Sequence, residues 1–261
     1  MIALNFGFGG LEAEFWRLVF VMTRIGALML AAPIFGAGSV PVQVRVVATG
    51  AVAVFVCAWF PQVQPPANLL SLSGMLAVAN EVLIGFALGF VFQIAFAAPV
   101  LGAEMISGAM GMSMATAVDP NSGAQSPALG QYFTVVMTLV FLALGAHLHM
   151  IALLTDSYIA FPPKHAWLGE ARIETILQFG GQMFATAVAI ALPVTLVLLL
   201  AQMVTGVLSR SAPSLNLFAL GLPLGVLAGI AALIVSAPVM TDAFVDLTQS
   251  AIDAAGQVIA R

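Results

Sequence analysis

The sequence predicts an all-α integral membrane protein, a single membrane domain over 1–261 made of about six long hydrophobic helices arranged as antiparallel hairpins. Three observations carry this. Hydrophobic residues make up 62% of the 261 and charged residues 7%, against about 45–50% and about 25% in an ordinary soluble domain. The apolar runs are continuous and rich in Leu, Ala, Val and Met, whereas outer-membrane strands would alternate over segments of about ten residues. The connectors are short and carry proline and glycine breakers, which makes neighbouring helices antiparallel.

The first run, 15–32, has no basic region ahead of it and places Glu12 and Glu14 there, so it does not read as a cleaved secretory signal and is expected to be part of the structure. It ends at Pro33, Gly36 and Gly38. The second, 42–60, is short for a bilayer that needs about 20 residues, and it stops at Pro61-Gln-Val-Gln-Pro65-Pro66. It contains Cys57, the only cysteine, so neither an internal disulfide nor a cysteine metal cluster is possible. The third, 69–100, and the fifth, 176–208, exceed 30 residues, about 45 Å at 1.5 Å per residue. Pro99 and Pro193 can kink them, and their ends can project beyond the hydrocarbon if other subunits cover them. The fourth run, 128–157, precedes Pro162-Pro163, and the sixth, 215–247, follows Ser211-Ala-Pro213.

Basic residues do not orient the chain. In a six-span arrangement Arg45 and Arg210 fall on one side and Arg17, Lys164, Arg172 and Arg261 on the other. The net charge of −4, with seven scattered basic residues, offers no patch for nucleic acid.

Between the third and fourth runs lies Glu104-Met-Ile-Ser-Gly-Ala-Met-Gly-Met-Ser-Met-Ala-Thr-Ala-Val-Asp-Pro-Asn-Ser-Gly-Ala-Gln-Ser-Pro127, with four methionines, three glycines and two carboxylates. It is too apolar for a solvated loop, while Asp119-Pro120-Asn-Ser-Gly123 breaks a spanning helix. Irregular backbone at membrane depth is tolerated where protein covers it or where it lines a water-filled cavity. Met105, Met110, Met112 and Met114 supply adaptable apolar groups, and Gly108, Gly111 and Gly123 let the backbone move. Such a composition suits a pliable plug that dewets when shut, or gap-filling between membrane helices.

Two charges sit inside apolar runs. Arg24 and Glu81 each require a protein or water partner; Arg24 pairing with Glu81 or Glu104 would fix helix packing. Glu81, Gly85 and Gly89 recur every four residues and share one helix face, where the missing side chains admit a second helix from the same or another subunit. His147 and His149 point about 200° apart on a helix and cannot chelate one metal; they suit polar packing near a helix end. No H-E-x-x-H or G-x-S-x-G element is present, so the chain has no catalytic set, metal site or cofactor site that these motifs would provide.

Taken in order, further motifs resemble one family, the R/T-type inner-membrane subunits of type III secretion export gates (the FliR/SctT family). They are Arg24 with Pro33-Ile-Phe-Gly36 and Val40-Pro41-x3-Arg45; Glu81-x3-Gly85-x3-Gly89-Phe90; Gly102-Ala-Glu104-x3-Gly108-x2-Gly111; and Val118-Asp119-Pro120. Later come Gly145-Ala-His147, Leu192-Pro193-x4-Leu198-Leu199, and Ser209-Arg210-x2-Pro213 continuing to Asn216-x-Phe218-x2-Gly221. The chain departs from the family pattern at Ser214, where a glutamine often follows the proline, and at Leu224-Gly225, where a lysine often lies nearby.

The resemblance, nearer to the flagellar than to the virulence branch, implies a non-enzymatic subunit in the bacterial inner membrane, part of the flagellar basal body. It implies FliP and FliQ as gate partners, FlhA and FlhB as further partners, unfolded flagellar proteins as cargo, and an assembly raised toward the periplasm. It also implies that 1–157 is similar to the P subunit and the hairpin 176–250 to the Q subunit. The connector at about 105–126 then matches the family's plug, with Met105, Gly108, Met110, Gly111, Met112 and Met114 as its compliant portion, and Arg24, Glu81, Gly85, Gly89, Glu104 and Arg210 as helix-packing or interface residues. The alternative is a secondary transporter binding an ion or small solute at Glu81, Glu104 or Arg24.

Overall fold

A computed structural model describes residues 10–66, 68–112, 128–163, 167–211 and 217–260. Every helical or extended element among them is an α-helix: α1 (Gly10–Ala31), α2 (Val42–Trp59), α3 (Leu72–Ala109), α4 (Ala128–Ala143), α5 (Ala146–Ala160), α6 (Glu170–Ser211) and α7 (Leu217–Ile259). Four of these, α2, α3, α6 and α7, are long and apolar enough to cross a membrane, and α4 with α5 adds a fifth span if that broken pair is one. The expectation of an all-helical membrane protein holds. The first run does not join these spans, because α1 carries Glu12, Glu14, Arg17 and Arg24.

The described chain forms two compact units. The first gathers the residues up to 94, 145–179 and those from 250 onward; the second gathers 95–144 and 180–249. Both draw on the early and the late parts of the sequence.

In the first unit α1 packs against α2. Its buried residues Phe20, Val21, Ile25, Leu28 and Met29 recur with helical spacing, so one stripe faces the interior. The N-terminal part of α3 lies against α1 at Gly85 and Gly89, and it buries Ile84, Leu88 and Val91. Ser71 starts α3 by accepting the Gly74 N–H on its hydroxyl at 3.1 Å, which satisfies one of the free donors of the first turn. The last turns of α7 belong here too, burying Ala251, Ala254, Ala255 and Val258.

In the second unit, α3 continues through Phe96, Ala103 and Ile106, α4 contributes Phe133, Met137 and Phe141, and α6 contributes Ala187, Ile190, Ala191, Val194 and Leu198. Edge-to-face contacts join Phe96 to Phe141 and Phe133 to Phe244, with centroids 5.5 and 5.6 Å apart. Gly102 lets α3 and α6 approach: a Cβ there would lie 3.1 Å from the Ala187 carbonyl oxygen.

Several expected boundaries move, each for a local reason. The fourth run is two helices, parted at Gly145 with φ 68°, a left-handed conformation that glycine adopts without steric cost. The connector's first residues are not irregular: α3 continues to Ala109, because Ala103, Ile106 and Ser107 keep a buried helical stripe going. The sixth run continues twelve residues further, to Ile259, as an amphipathic extension that an apolar-run criterion misses.

Candidate functional site

Two sets of side chains stand out, one in each unit. In the first unit the Arg24 guanidinium is fully buried and bonded through all three of its nitrogens. Its Nε donates to Glu81 Oε2 at 2.7 Å and one terminal nitrogen to Glu81 Oε1 at 2.8 Å. That nitrogen also donates to the Phe161 carbonyl at 2.9 Å, and the other donates to Ser157 Oγ at 3.0 Å. The Ser157 hydroxyl in turn donates to the Leu154 carbonyl. The Tyr158 ring lies 4.1 Å from the guanidinium carbon, and its hydroxyl donates to the Val21 carbonyl. One cation therefore ties α1 to α3, to α5 and to the segment after α5. Bidentate geometry with extra hydrogen bonds is the arrangement in which a buried ion pair offsets its desolvation cost.

Gly85 and Gly89 complete this junction. A Cβ on Gly85 would collide with the Arg24 carbonyl, and one on Gly89 would sit 2.7 Å from the Ala31 Cβ and 2.8 Å from the Leu28 carbonyl oxygen. The small-residue face of α3 is thus taken by α1 of the same chain, as small-xxx-small packing allows. Of the alternatives open for Arg24, the structure pairs it with Glu81. Glu104 lies exposed on α3 and Arg210 exposed in the last turn of α6.

Arg17, which the sequence offered only as a charge for orientation, closes the end of α2. It donates to the carbonyls of Cys57 at 2.8 Å, Phe60 at 2.9 Å and Val63 at 2.9 Å, while Glu14 pairs with it at 3.3 Å. A cation on the last carbonyls of a helix complements its dipole and satisfies its free acceptors. Trp167 is a second residue without a sequence signal: its backbone N–H donates to Asn80 Oδ1 and its indole N–H to the Val258 carbonyl. His149 bonds through Nδ1 to the Gly145 carbonyl at the start of α5. Among the described residues no three His, Cys, Asp or Glu side chains come together as metal ligands.

In the second unit the end of α3 carries the expected plug residues. Met105 is 39% exposed and Gly108 lies in open space, both still helical. Met110 is different, buried with 4% of its surface exposed. Its side chain occupies the room left by Gly229 on α7: a Cβ there would lie 2.6 Å from its Cε, 2.7 Å from its Cγ and 2.9 Å from its sulfur. Its carbonyl oxygen lies 3.1 Å from where a Cβ of Gly225 would stand, one helical turn earlier. Gln202 on α6 donates to the Ala109 carbonyl at 2.8 Å. Gly111 then turns the chain with φ 80°, and Met112 is half-buried. Met114 and the rest of the connector from 113 to 127 lie outside the described residues, as do Pro213, Ser214 and Asn216.

Comparison with known proteins accords with these features. The profile of "Bacterial export proteins, family 1" matches residues 15–251. The chain is 34% identical to the flagellar biosynthetic protein FliR of Escherichia coli (strain K12), covering 84% of this chain and 82% of that protein. It is 32% identical to FliR of Pectobacterium carotovorum subsp. carotovorum, over 83% of this chain and 80% of that one, and 30% identical to FliR of Bacillus subtilis (strain 168), over 85% and 86%. A match over most of the chain, with relatives this similar over most of their own length, places it: the chain belongs to the FliR family of bacterial export proteins.

Proposed function

We propose that the chain is a helical subunit of the flagellar type III protein export gate, embedded in the inner membrane of the basal body. There it assembles with FliP and FliQ, and with FlhA and FlhB alongside, into a conduit for unfolded flagellar proteins. Residues 1–157 take the place of a P subunit and the hairpin 176–250 that of a Q subunit, in an assembly projecting toward the periplasm. The connector at about 105–126, with Met105, Gly108, Met110, Gly111, Met112 and Met114 as its expected compliant portion, is the reversible seal; Met110 is buried against Gly229, and the other five yield to polypeptide.

The observation that carries the subunit reading is a mismatch between helix length and bilayer. α6 and α7 run 42 and 43 residues, about 63–65 Å at 1.5 Å per residue, against a hydrocarbon core of about 30 Å. Yet exposed apolar side chains extend along α6 from Leu177 to Leu208, about 47 Å at the same rise. Lipid tails cannot cover that full length, whereas neighbouring protein can. The transporter alternative starts from an available intramembrane carboxylate; Arg24 holds both oxygens of Glu81, which leaves it Glu104, exposed on α3.

Purification of the tagged chain in mild detergent tests assembly. FliP and FliQ should accompany it; a lone, monodisperse chain that drives solute uptake in vesicles would support the transporter instead. Deleting residues 108–116 tests the seal. The assembled gate should then leak small ions, and an intact barrier would refute the sealing role.

A further inference from the structure

We infer that Met110 is a positioning residue and not part of the yielding surface of the seal: it is a latch, seated in the notch that Gly225 and Gly229 open in α7. Its sealing consequence rests on the gate reading above. Three contacts meet within the stretch Ala109–Met110. The thioether fills the space beside Gly229, the Met110 carbonyl lies against Gly225, and Gln202 on α6 bonds the Ala109 carbonyl. The residues on either side behave differently, with Gly108 in open space and Gly111 turning away at φ 80°.

A glycine pair four apart presents one helix face without side chains, and a flexible thioether adapts to such a groove. The seat gives α7 a grip on the exit of α3, so the place where the connector departs is set by α7 as well as by α3. A shift of α7 along its axis moves the seat under Met110.

The two glycines differ in a way that sets the experiment. A side chain at Gly225 meets the Met110 backbone oxygen in the turn just after α3; one at Gly229 has side-chain atoms of Met110 as its three nearest neighbours, and a flexible thioether chain can leave. Gly229→Val should therefore evict Met110 without unfolding the chain. Met110→Ala in the same chain makes room for the valine and should restore the packing.

The readout is a reporter thiol, Met112→Cys, in a Cys57→Ala background, with the full-length chain assembled in the membrane and probed with a small maleimide. Gly229→Val should raise the labelling rate roughly tenfold by opening the local structure, and Met110→Ala added to it should lower the rate again. Co-purification of FliP and FliQ confirms that each variant assembles. Labelling at the parental rate in assembled Gly229→Val, or a rise that Met110→Ala does not reverse, overturns the latch. Ion leakage separates the two readings. If deletion of 108–116 leaks while Gly229→Val stays tight, the latch has no part in sealing; if the deletion stays tight, the seal has failed and the labelling result still decides the latch.

Discussion

Arg24 and Glu81 hold each other in a two-point ion pair with no exposure to solvent, at 2.7 and 2.8 Å, 57 residues apart in sequence. Removing one partner strands the other charge among apolar groups, which costs about 3–5 kcal/mol, while replacing both with apolar residues of similar size is close to neutral. Arg24→Met and Glu81→Leu should each sharply reduce the amount of folded chain recovered in detergent. The double variant should recover more than either. Interchanging the charges should rescue only in part, because Ser157 Oγ and the Phe161 carbonyl are placed to accept from a cation on α1. Equal recovery of single and double variants would show that the pair acts as two independent groups.

The glycines of α3 should be unequal to glycines elsewhere. Gly85→Ala drives a methyl group into the Arg24 backbone carbonyl, and Gly89→Ala crowds Ala31 and Leu28, so overpacking of about 1–3 kcal/mol is expected. Gly50→Ala in α2 and Gly180→Ala in α6 meet nothing within 4 Å, and there the better helix propensity of alanine should stabilise by about 0.8–1.0 kcal/mol. Unfolding of the four purified variants in detergent, followed by circular dichroism against denaturant, should separate them into two groups of opposite sign. A uniform response would remove the argument for close α1–α3 contact.

Arg17 should be irreplaceable by lysine. Three carbonyls at and just after the end of α2 accept from two guanidinium nitrogens, Nε to Val63 and one terminal nitrogen to both Cys57 and Phe60. An ammonium group on a shorter, unforked stem cannot reach the same set. Hydrogen bonds to charged groups contribute about 1.5–3 kcal/mol, so Arg17→Lys should loosen the segment after Trp59 and speed proteolysis there, and Arg17→Met should do so further. Cleavage at the parental rate in both variants would mean that the α2 end is held by other contacts.

How far the sequence carried each of these differs for physical reasons. A charge in an apolar run needs a partner, so the demand made by Arg24 was legible; the choice between Glu81 and Glu104 was not, since both stand on the same side of the problem until helices are placed. The spacing of Glu81, Gly85 and Gly89 revealed a face, and the neighbour filling it proved to be α1. Ser157 and Asn80 gave no sign, because a single polar residue in a long apolar helix has many uses. The end of α7 was hidden by Thr248 and Asp253, which stop an apolar run even though Ala251, Ala254, Ala255 and Val258 keep a buried helical stripe. The seat of Met110 on Gly225 and Gly229 joins residues more than a hundred apart, and no local pattern encodes that pairing.

Gly145 offers the cleanest test of a backbone requirement. It parts α4 from α5 at φ 68°, and a Cβ there would meet nothing within 4 Å. Any cost of substitution is therefore conformational and not steric with neighbours, about 1–2 kcal/mol for an ordinary L residue in the left-handed region. Asparagine enters that region more readily than alanine, so Gly145→Asn should be less destabilised than Gly145→Ala although its side chain is larger. The Leu148 and His149 amides donate to the Gly145 carbonyl at 2.9 and 3.2 Å, so hydrogen exchange in the first turn of α5 reports the change directly. Exchange should be fastest in the alanine variant, intermediate in the asparagine variant and slowest in the parent. If the alanine variant is as protected as the parent, α4 and α5 can join without the left-handed residue, and the break belongs to the surroundings of the helices and not to Gly145.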